Sequence, residues 1–286
     1  MTSRAPSAVL VIGAISSVQF GSALAATLFD RAGPAGTVLL RLVSASVVLA
    51  ILWRPKPAQV TRRELLLTGA FGVVLAGMNL SFYEALHRIP LGIAVTIEFV
   101  GPLAVAVVGS RRRIDLAWAA LAAVGILALT HVTHGHAHGL SGVGIGFALL
   151  AGAFWGGYIL LNARVGRAFA GGIGLTVAMG VASLVALPFG LAQGGAHLLE
   201  PRVLVLGCAV GMLSSAIPYS LELEALRRIA APLFGVLMSL EPAVAALAGL
   251  IVLGQGLSPR AVVGIALVML ASIGASRTAR RAAVPV

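Results

Sequence analysis

Glu98 stands near the middle of AVTIEFVGPLAVAVVG (residues 94–109), an otherwise apolar run, four residues before Pro102. Glu241, with Pro242 directly after it, is placed the same way in FGVLMSLEPAVAALAG (residues 234–249). At a rise of about 1.5 Å per residue, both carboxylates fall near the centre of a bilayer-spanning helix. An ionised carboxylate at that depth costs roughly 2.5–3.5 kcal/mol even on the more lenient insertion scale. Such a group must face a cavity, meet a partner or carry a proton.

The prolines sharpen the point. Neither Pro102 nor Pro242 has an N–H to give the carbonyl one turn back, which belongs to Glu98 in the first case and Met238 in the second. Freed backbone carbonyls are tolerated at membrane depth only beside a cavity or another helix. A single buried glutamate can instead be a neutral packing residue, and proline is common in membrane helices. The pairing of the two, twice, is what favours function.

Other polar groups fall within apolar runs: Gln19, Ser22, Arg41, Asn79, Tyr83, Trp155, Tyr158, Asn162, Ser214, Ser215, Tyr219 and Ser239. Arg41 is the strongest of them, a charge several residues into a span that seeks a carboxylate or a substrate anion unless it snorkels to one face. Trp155 and Tyr158 suit a cavity wall and an interfacial belt equally well. Glu84, Glu222 and Glu224 fall at helix ends beside basic loops and read as structural.

The elements that must position these groups follow from composition. Hydrophobic residues are 59% of the 286 positions and charged residues only 10%, against roughly 25% charged in a soluble domain. Mean hydropathy is +1.03. The chain is an all-α integral membrane protein, and the apolar runs predict ten helices: 7–28, 34–53, 65–84, 91–109, 115–131, 141–163, 171–192, 203–221, 232–253 and 259–277. RAGPAG (31–36), RPKPAQVTRR (54–63), HRIP (87–90) and SPR (258–260) read as turns between them, and Asp115 and Ser258 as N-caps. No long polar segment interrupts the series, so residues 1–286 form a single membrane domain.

The net charge of +11 has no basic face or stacking aromatics behind it, which excludes nucleic acid as a partner. It sits in loops instead. With the N-terminus in the cytoplasm, inner segments hold Arg4, Arg54, Lys56, Arg62, Arg63, Arg111, Arg112, Arg113, Arg164, Arg167, Arg227, Arg228, Arg277, Arg280 and Arg281, and outer ones only Arg31, Arg88, Arg202 and Arg260. Positive charge stays inside, so both termini are expected in the cytoplasm, as an even number of spans requires. Arg4, the first apolar run and SALAA (22–26) imitate a cleavable signal peptide. Ser16, Ser17, Gln19 and Ser22 make that run too polar for one, and its removal would spoil the charge match.

EALHRI (84–89) returns as EALRRI (224–229), 140 residues on, and at the same offset Pro102 meets Pro242, Ala106 meets Ala246 and Gly109 meets Gly249. Five spans per half is an odd number, so the second repeat (141–277) must enter the membrane from the side opposite the first (7–131). Inverted repeats are an architecture of secondary transporters, with the binding site at the midplane where the halves meet.

Three features argue against other chemistry. HVTHGHAHG (131–139) carries four histidines, yet its glycines and lack of a carboxylate suit a loop rather than a metal site, and no metal or other cofactor is expected. The lone Cys208 rules out an internal disulfide and a thiolate metal cage. All six histidines lie in or beside loops, away from any serine or aspartate at depth, so an enzyme is not expected. Gly152 and Gly156 have the spacing of close helix packing, inside one chain or across a homodimer.

PLGIAVTIEFVGPLAVAVVGSRRRID (90–115), SAIPYSLELEAL (215–226) and FGVLMSLEPAVAALAG (234–249) together resemble the EamA-type drug/metabolite transporters, and within them the inner-membrane threonine/homoserine exporters. Arg41, opening RLVSASVVLA, fits the family's second helix. The resemblance implies a multi-pass protein of the bacterial inner membrane that exports small amino acids in exchange for protons. Glu98 or Glu241 would then face the substrate ammonium and Arg41 its carboxylate. One glutamate, Glu98 by preference because the narrower signature surrounds it, would alternate between proton and ammonium. Transport of an aromatic amino acid, a purine or a cationic drug is the alternative, although only 6% of the residues are aromatic.

Overall fold

In lipid every backbone polar group must be satisfied internally, which leaves helices or closed barrels. The computed structural model describes residues 5–54, 61–108, 113–130, 140–169, 171–226, 228–229 and 231–282, and among these all regular elements are helical. The histidine-rich stretch 131–139 and the basic loop 109–112 lie outside the described residues, as do Arg4, Lys56 and Arg227.

The chain runs through α1 (Ala5–Ala26), α2 (Phe29–Trp53), α3 (Arg62–Leu86), α4 (Leu91–Glu98), α5 (Val100–Val108), α6 (Arg113–Thr130), α7 (Gly142–Ala168) and α8 (Ile173–Gly194). It continues through α9 (Pro201–Gly211), a π turn (Met212–Ala216), α10 (Ile217–Leu226), α11 (Ala231–Met238), α12 (Glu241–Leu253) and α13 (Pro259–Ala282). Among the described residues, eight helical segments are long and apolar enough to cross a membrane, and two shorter apolar ones, Leu91–Val105 and Ile114–Leu129, accompany them. Large apolar side chains cover the outside, with Leu66, Leu184 and Val108 67, 69 and 86% exposed. The protein is a multi-pass membrane protein.

Two details correct the turns expected from sequence. RAGPAG does not separate two helices. The backbone leaves helical geometry only at Gly33 (φ +66°), and α2 carries on through Pro34 as a kink. Gln193 on α8 stabilises the kink, its side-chain oxygen accepting from the Ala35 amide at 2.8 Å. Asp115 lies inside the first turn of α6 rather than capping it, because the helix starts two residues earlier. Ser258 does cap, its hydroxyl accepting from the Ala261 amide at 3.2 Å.

Both glutamate–proline stretches are broken helices. Phe99 separates α4 from α5, and Ser239 and Leu240 separate α11 from α12. The short helices before the breaks have eight residues each, Leu91–Glu98 and Ala231–Met238, and begin 140 residues apart. The repeated EALxRI strings also fold alike. Arg88 pairs with Glu84 and Arg228 with Glu224, one turn back, while the Ile89 and Ile229 amides each bond at 2.9 Å to the alanine carbonyl four residues earlier.

Packing follows the same offset. Helices α2 and α8, counterparts 140 residues apart, pack on each other, as do the counterparts α6 and α13. Helix α3 lies on α7 as α9 and α10 lie on α1, and the broken pair α4–α5 lies on α7 as α11–α12 lies on α1.

At the first break the approach is backbone to backbone. A Cβ on Gly101 would meet the Gly152 carbonyl oxygen at 1.9 Å, and one on Gly152 would meet the Glu98 carbonyl oxygen, freed by Pro102, at 2.7 Å. Gly156 faces Val105 and Gly101 one turn along. The glycine spacing therefore serves packing within one chain. Because neither contact is a side-chain end that can swing away, Gly101→Ala is expected to destabilise the protein by about 2 kcal/mol or more. Its detergent-solubilised melting temperature should fall by several degrees, whereas alanine at Gly69, which has open space around it, should leave it unchanged.

Candidate functional site

A cavity of about 120 Å³ lies where α1, α2, α3, α4, α7, α10, α11, α12 and the π turn converge. Ten of the polar residues singled out from sequence line it: Gln19, Ser22, Arg41, Asn79, Glu98, Trp155, Tyr158, Ser214, Tyr219 and Glu241. Four pairs of lining positions are 140 residues apart: Val18 and Tyr158, Asn79 and Tyr219, Phe82 and Glu222, Glu98 and Met238. The repeat thus shapes the cavity, and its side chains differ from one half to the other.

Arg41 is 6% exposed and is held by the π turn. Its Nε donates to the Ser215 hydroxyl (3.2 Å), Nη2 to the Ser214 carbonyl (2.8 Å) and Nη1 to the Tyr83 hydroxyl (3.1 Å). The guanidinium also lies 5.5 Å from the centre of the Tyr83 ring. Among the described residues no carboxylate comes within ion-pair distance of it. A guanidinium has five N–H groups, so two remain for a ligand.

The acceptors exist because of local sequence. Pro218 has no N–H for the Ser214 carbonyl four residues back. Ile217 bonds to Met212 instead of Leu213, which is what makes the turn a π turn, a device frequent at functional sites. The two freed carbonyls are both taken by side chains: Ser214 by Arg41, and Leu213 by the Ser17 hydroxyl at 2.6 Å. This third proline-dependent site was legible in SSAIPYS (214–220), where Pro218 again follows a polar residue, Ser214, by four positions.

The two glutamates differ in setting. Glu98 and Glu241 are each 7% exposed. The Gln19 amide donates to Glu241 Oε1 at 2.9 Å, so α1 is tied to the first turn of α12. Glu98 closes α4 and, among the described residues, has no hydrogen-bond partner for its carboxylate. Trp155 packs edge-on against Phe99, in the break itself (5.1 Å between ring centres), and Tyr158 lies against Phe71 (5.3 Å). Both aromatics therefore belong to the cavity wall rather than an interfacial belt. The Asn79 amide nitrogen bonds back to the Leu75 carbonyl at 2.8 Å.

Two expected site residues lie elsewhere. Tyr83 is fully buried behind Arg41 and meets Phe29 edge-on, so it positions the guanidinium without lining the cavity. Ser239 turns towards α13, its hydroxyl 2.7 Å from that of Ser272 and 3.0 Å from the Gly235 carbonyl. Pro102 and Pro242 make the breaks and do not line the cavity. Sequence reasoning gave Glu222 a structural role, yet it lines the cavity, together with Ser22 and Ser214. The usable signal was its place one turn after Pro218. Glu222, Tyr158 and Tyr219 also line a second cavity of about 390 Å³, which reaches Trp53, Asn162, Gly171 and Glu224.

Known proteins resemble this chain along its whole length. The threonine/homoserine exporter RhtA of Escherichia coli (strain K12) is 40% identical over 275 residues, covering 96% of this chain and 92% of the relative. That of Salmonella typhimurium (strain LT2) is also 40% identical, over 278 residues and the same shares. The model of the EamA-like transporter family matches residues 142–277. A crystal structure only 19% identical superposes with a TM-score of 0.61 over 99% of this chain and 100% of that one, which shows a common fold.

The three-way anchoring of Arg41 generates a prediction. Lysine keeps the charge but is a point donor on a flexible stem, and cannot reach Tyr83, Ser214 and Ser215 together. Arg41→Lys is expected to cost about 2–4 kcal/mol, read as a melting temperature well below that of the parent. Tyr83→Phe, which removes one of the three bonds, should fall between the two.

Proposed function

The chain belongs to the EamA-like transporter family, and on that premise we propose that it exports small amino acids of the threonine/homoserine type across the bacterial inner membrane by proton antiport. The relatives' activity and the residues of the cavity together support this reading, and no enzymatic step is involved. The observation that carries it is a cavity of about 120 Å³ lined by carboxylates and by a guanidinium with two free N–H groups. Pockets for drug-sized ligands run to roughly 300–1,000 Å³, so the size favours a small zwitterion over a bulky drug.

In this reading the substrate carboxylate takes the two remaining N–H groups of Arg41, a pairing that a planar guanidinium suits. The ammonium needs a negative partner, and the cavity has carboxylates to offer. Glu98, without a hydrogen bond of its own, releases its proton as the ammonium enters and regains it when the ammonium leaves. Occupancy by one cation then excludes the other, which is the coupling an antiporter requires.

The scaffold is proposed to be ten spans in two inverted five-helix repeats, 7–131 and 141–277, with both termini in the cytoplasm. Pseudo-symmetric halves have two arrangements of similar energy, each opening the cavity to one side. The second cavity extends towards the ends of α2 and α7, where Trp53 and Gly166 line it and Arg54, Arg164 and Arg167 follow or flank them in the chain. By the positive-inside rule this is the cytoplasmic face, where an exporter loads.

Glu98→Gln keeps the shape of the site and removes the proton. In proteoliposomes it should lose gradient-driven threonine export by about 100-fold, the scale of one positioned proton-transfer group. Exchange of internal for external threonine without a gradient should persist. Full pH-driven export by this variant would end the coupling proposal.

A further inference from the structure

The proposed function does not say where the substrate ammonium is received, and the following inference rests on that reading. Among the described residues, four side-chain polar atoms with no surface open to solvent have no hydrogen-bond partner: Gln19 Oε1, Ser22 Oγ, Ser214 Oγ and Glu241 Oε2. Their residues are 2, 1, 1 and 7% exposed, and all four line the central cavity. Buried side-chain polar atoms are normally bonded. Four unbonded ones around a single cavity mark groups waiting for a ligand.

Their chemistry selects the ligand. An ionised carboxylate offers no donor, so the Gln19 side chain must turn its NH2 group to Glu241 Oε1, as it does at 2.9 Å. Its own oxygen is thereby left as an acceptor, as is the second oxygen of Glu241. Each serine hydroxyl adds a lone pair. Gln19 and Ser22 are three residues apart and share one face of α1. Ser214 is brought to the same place by Gly21, where a Cβ would come within 2.3 Å of its hydroxyl.

We propose that Gln19, Ser22, Ser214 and Glu241 form a seat for a primary ammonium group, whose three N–H bonds are taken by Glu241 Oε2, Gln19 Oε1 and the serine hydroxyls. Ser214 joins this seat to the carboxylate pole, because its backbone carbonyl holds Arg41. Glu98 contributes none of the four atoms and is left to carry the proton. The seat selects by counting donors. Four acceptors meet three N–H groups, the two serine hydroxyls sharing one. Each N-methyl group removes one N–H and leaves a further buried acceptor unpaired, and a quaternary ammonium can donate to none of them.

Counterflow of labelled L-threonine in proteoliposomes, competed by unlabelled L-threonine, N-methyl-L-threonine and N,N-dimethyl-L-threonine, tests the seat on the parent chain. Each methyl is expected to weaken competition about tenfold, the worth of one hydrogen bond to a charged group. The Ser22→Ala/Ser214→Ala double variant should bind threonine about tenfold more weakly and discriminate less between threonine and its N-methyl form. Gln19→Met should do the same. A parent chain that exchanges threonine but accepts the N-methylated forms equally well overturns the seat and leaves the proposed function standing. Discrimination unchanged in all the variants also overturns it. A parent chain that exchanges no primary-amine amino acid overturns both.

Discussion

A guanidinium buried in a membrane protein needs acceptors, and backbone carbonyls inside helices are already committed. The structure meets this need by uncommitting them. Pro218 and the π turn at Met212–Ala216 release two carbonyls, and Arg41 takes one of them while Ser17 takes the other. The rest of the site depends on that exchange. It binds α1 and α2 to the middle of the α9–α10 span, presents Ser214 to the cavity and fixes Arg41 with two N–H groups to spare. With an N–H at position 218 in an ordinary α-helix, the Ser214 carbonyl would be committed and Arg41 left with Tyr83 and whatever serine hydroxyl it could reach.

The cavity shows how a repeated scaffold acquires directional chemistry. The backbone of each half supplies lining residues at equivalent positions, and the side chains there differ. Glu98 stands opposite Met238 in the repeat, Glu222 opposite Phe82, and Asn79 opposite Tyr219. Arg41 has Val181 at its equivalent position, and the π turn has an uninterrupted stretch of α3. Packing and breaks therefore follow the repeat, whereas charge does not. Such a division keeps the two halves mechanically alike while gathering charge in a single place.

Much of this was legible in the sequence, for identifiable reasons. Apolar runs gave the helices, since burial in lipid leaves little alternative. Proline beside glutamate gave both breaks, because the missing N–H is a property of the residue itself. Arg41 and the two glutamates stood out since charge at depth is costly. What escaped depends on partners distant in sequence. The kink at Gly33 stays within a helix because Gln193, 158 positions away, accepts from Ala35. Ser239 is drawn away from the cavity by Ser272. Glu222 looks like a helix-end residue until α10 is continued to Leu226, which places it inside the span.

The two glutamates, which look alike in sequence, end up with opposite backbone surroundings. Glu241 opens α12, where the partial positive charge of a helix N-terminus complements a carboxylate, and Gln19 steadies it from α1. Glu98 closes α4, at the end where the helix dipole gives an anion no such support, and its carbonyl is pressed by Gly152. In the proposed exchange of proton for ammonium, one carboxylate stays in place and the other changes its occupant. The shift of three positions between Glu98 and Glu241 in the repeat places one before its break and the other after it. That small displacement is enough to give two carboxylates of the same cavity the two different roles proposed for them.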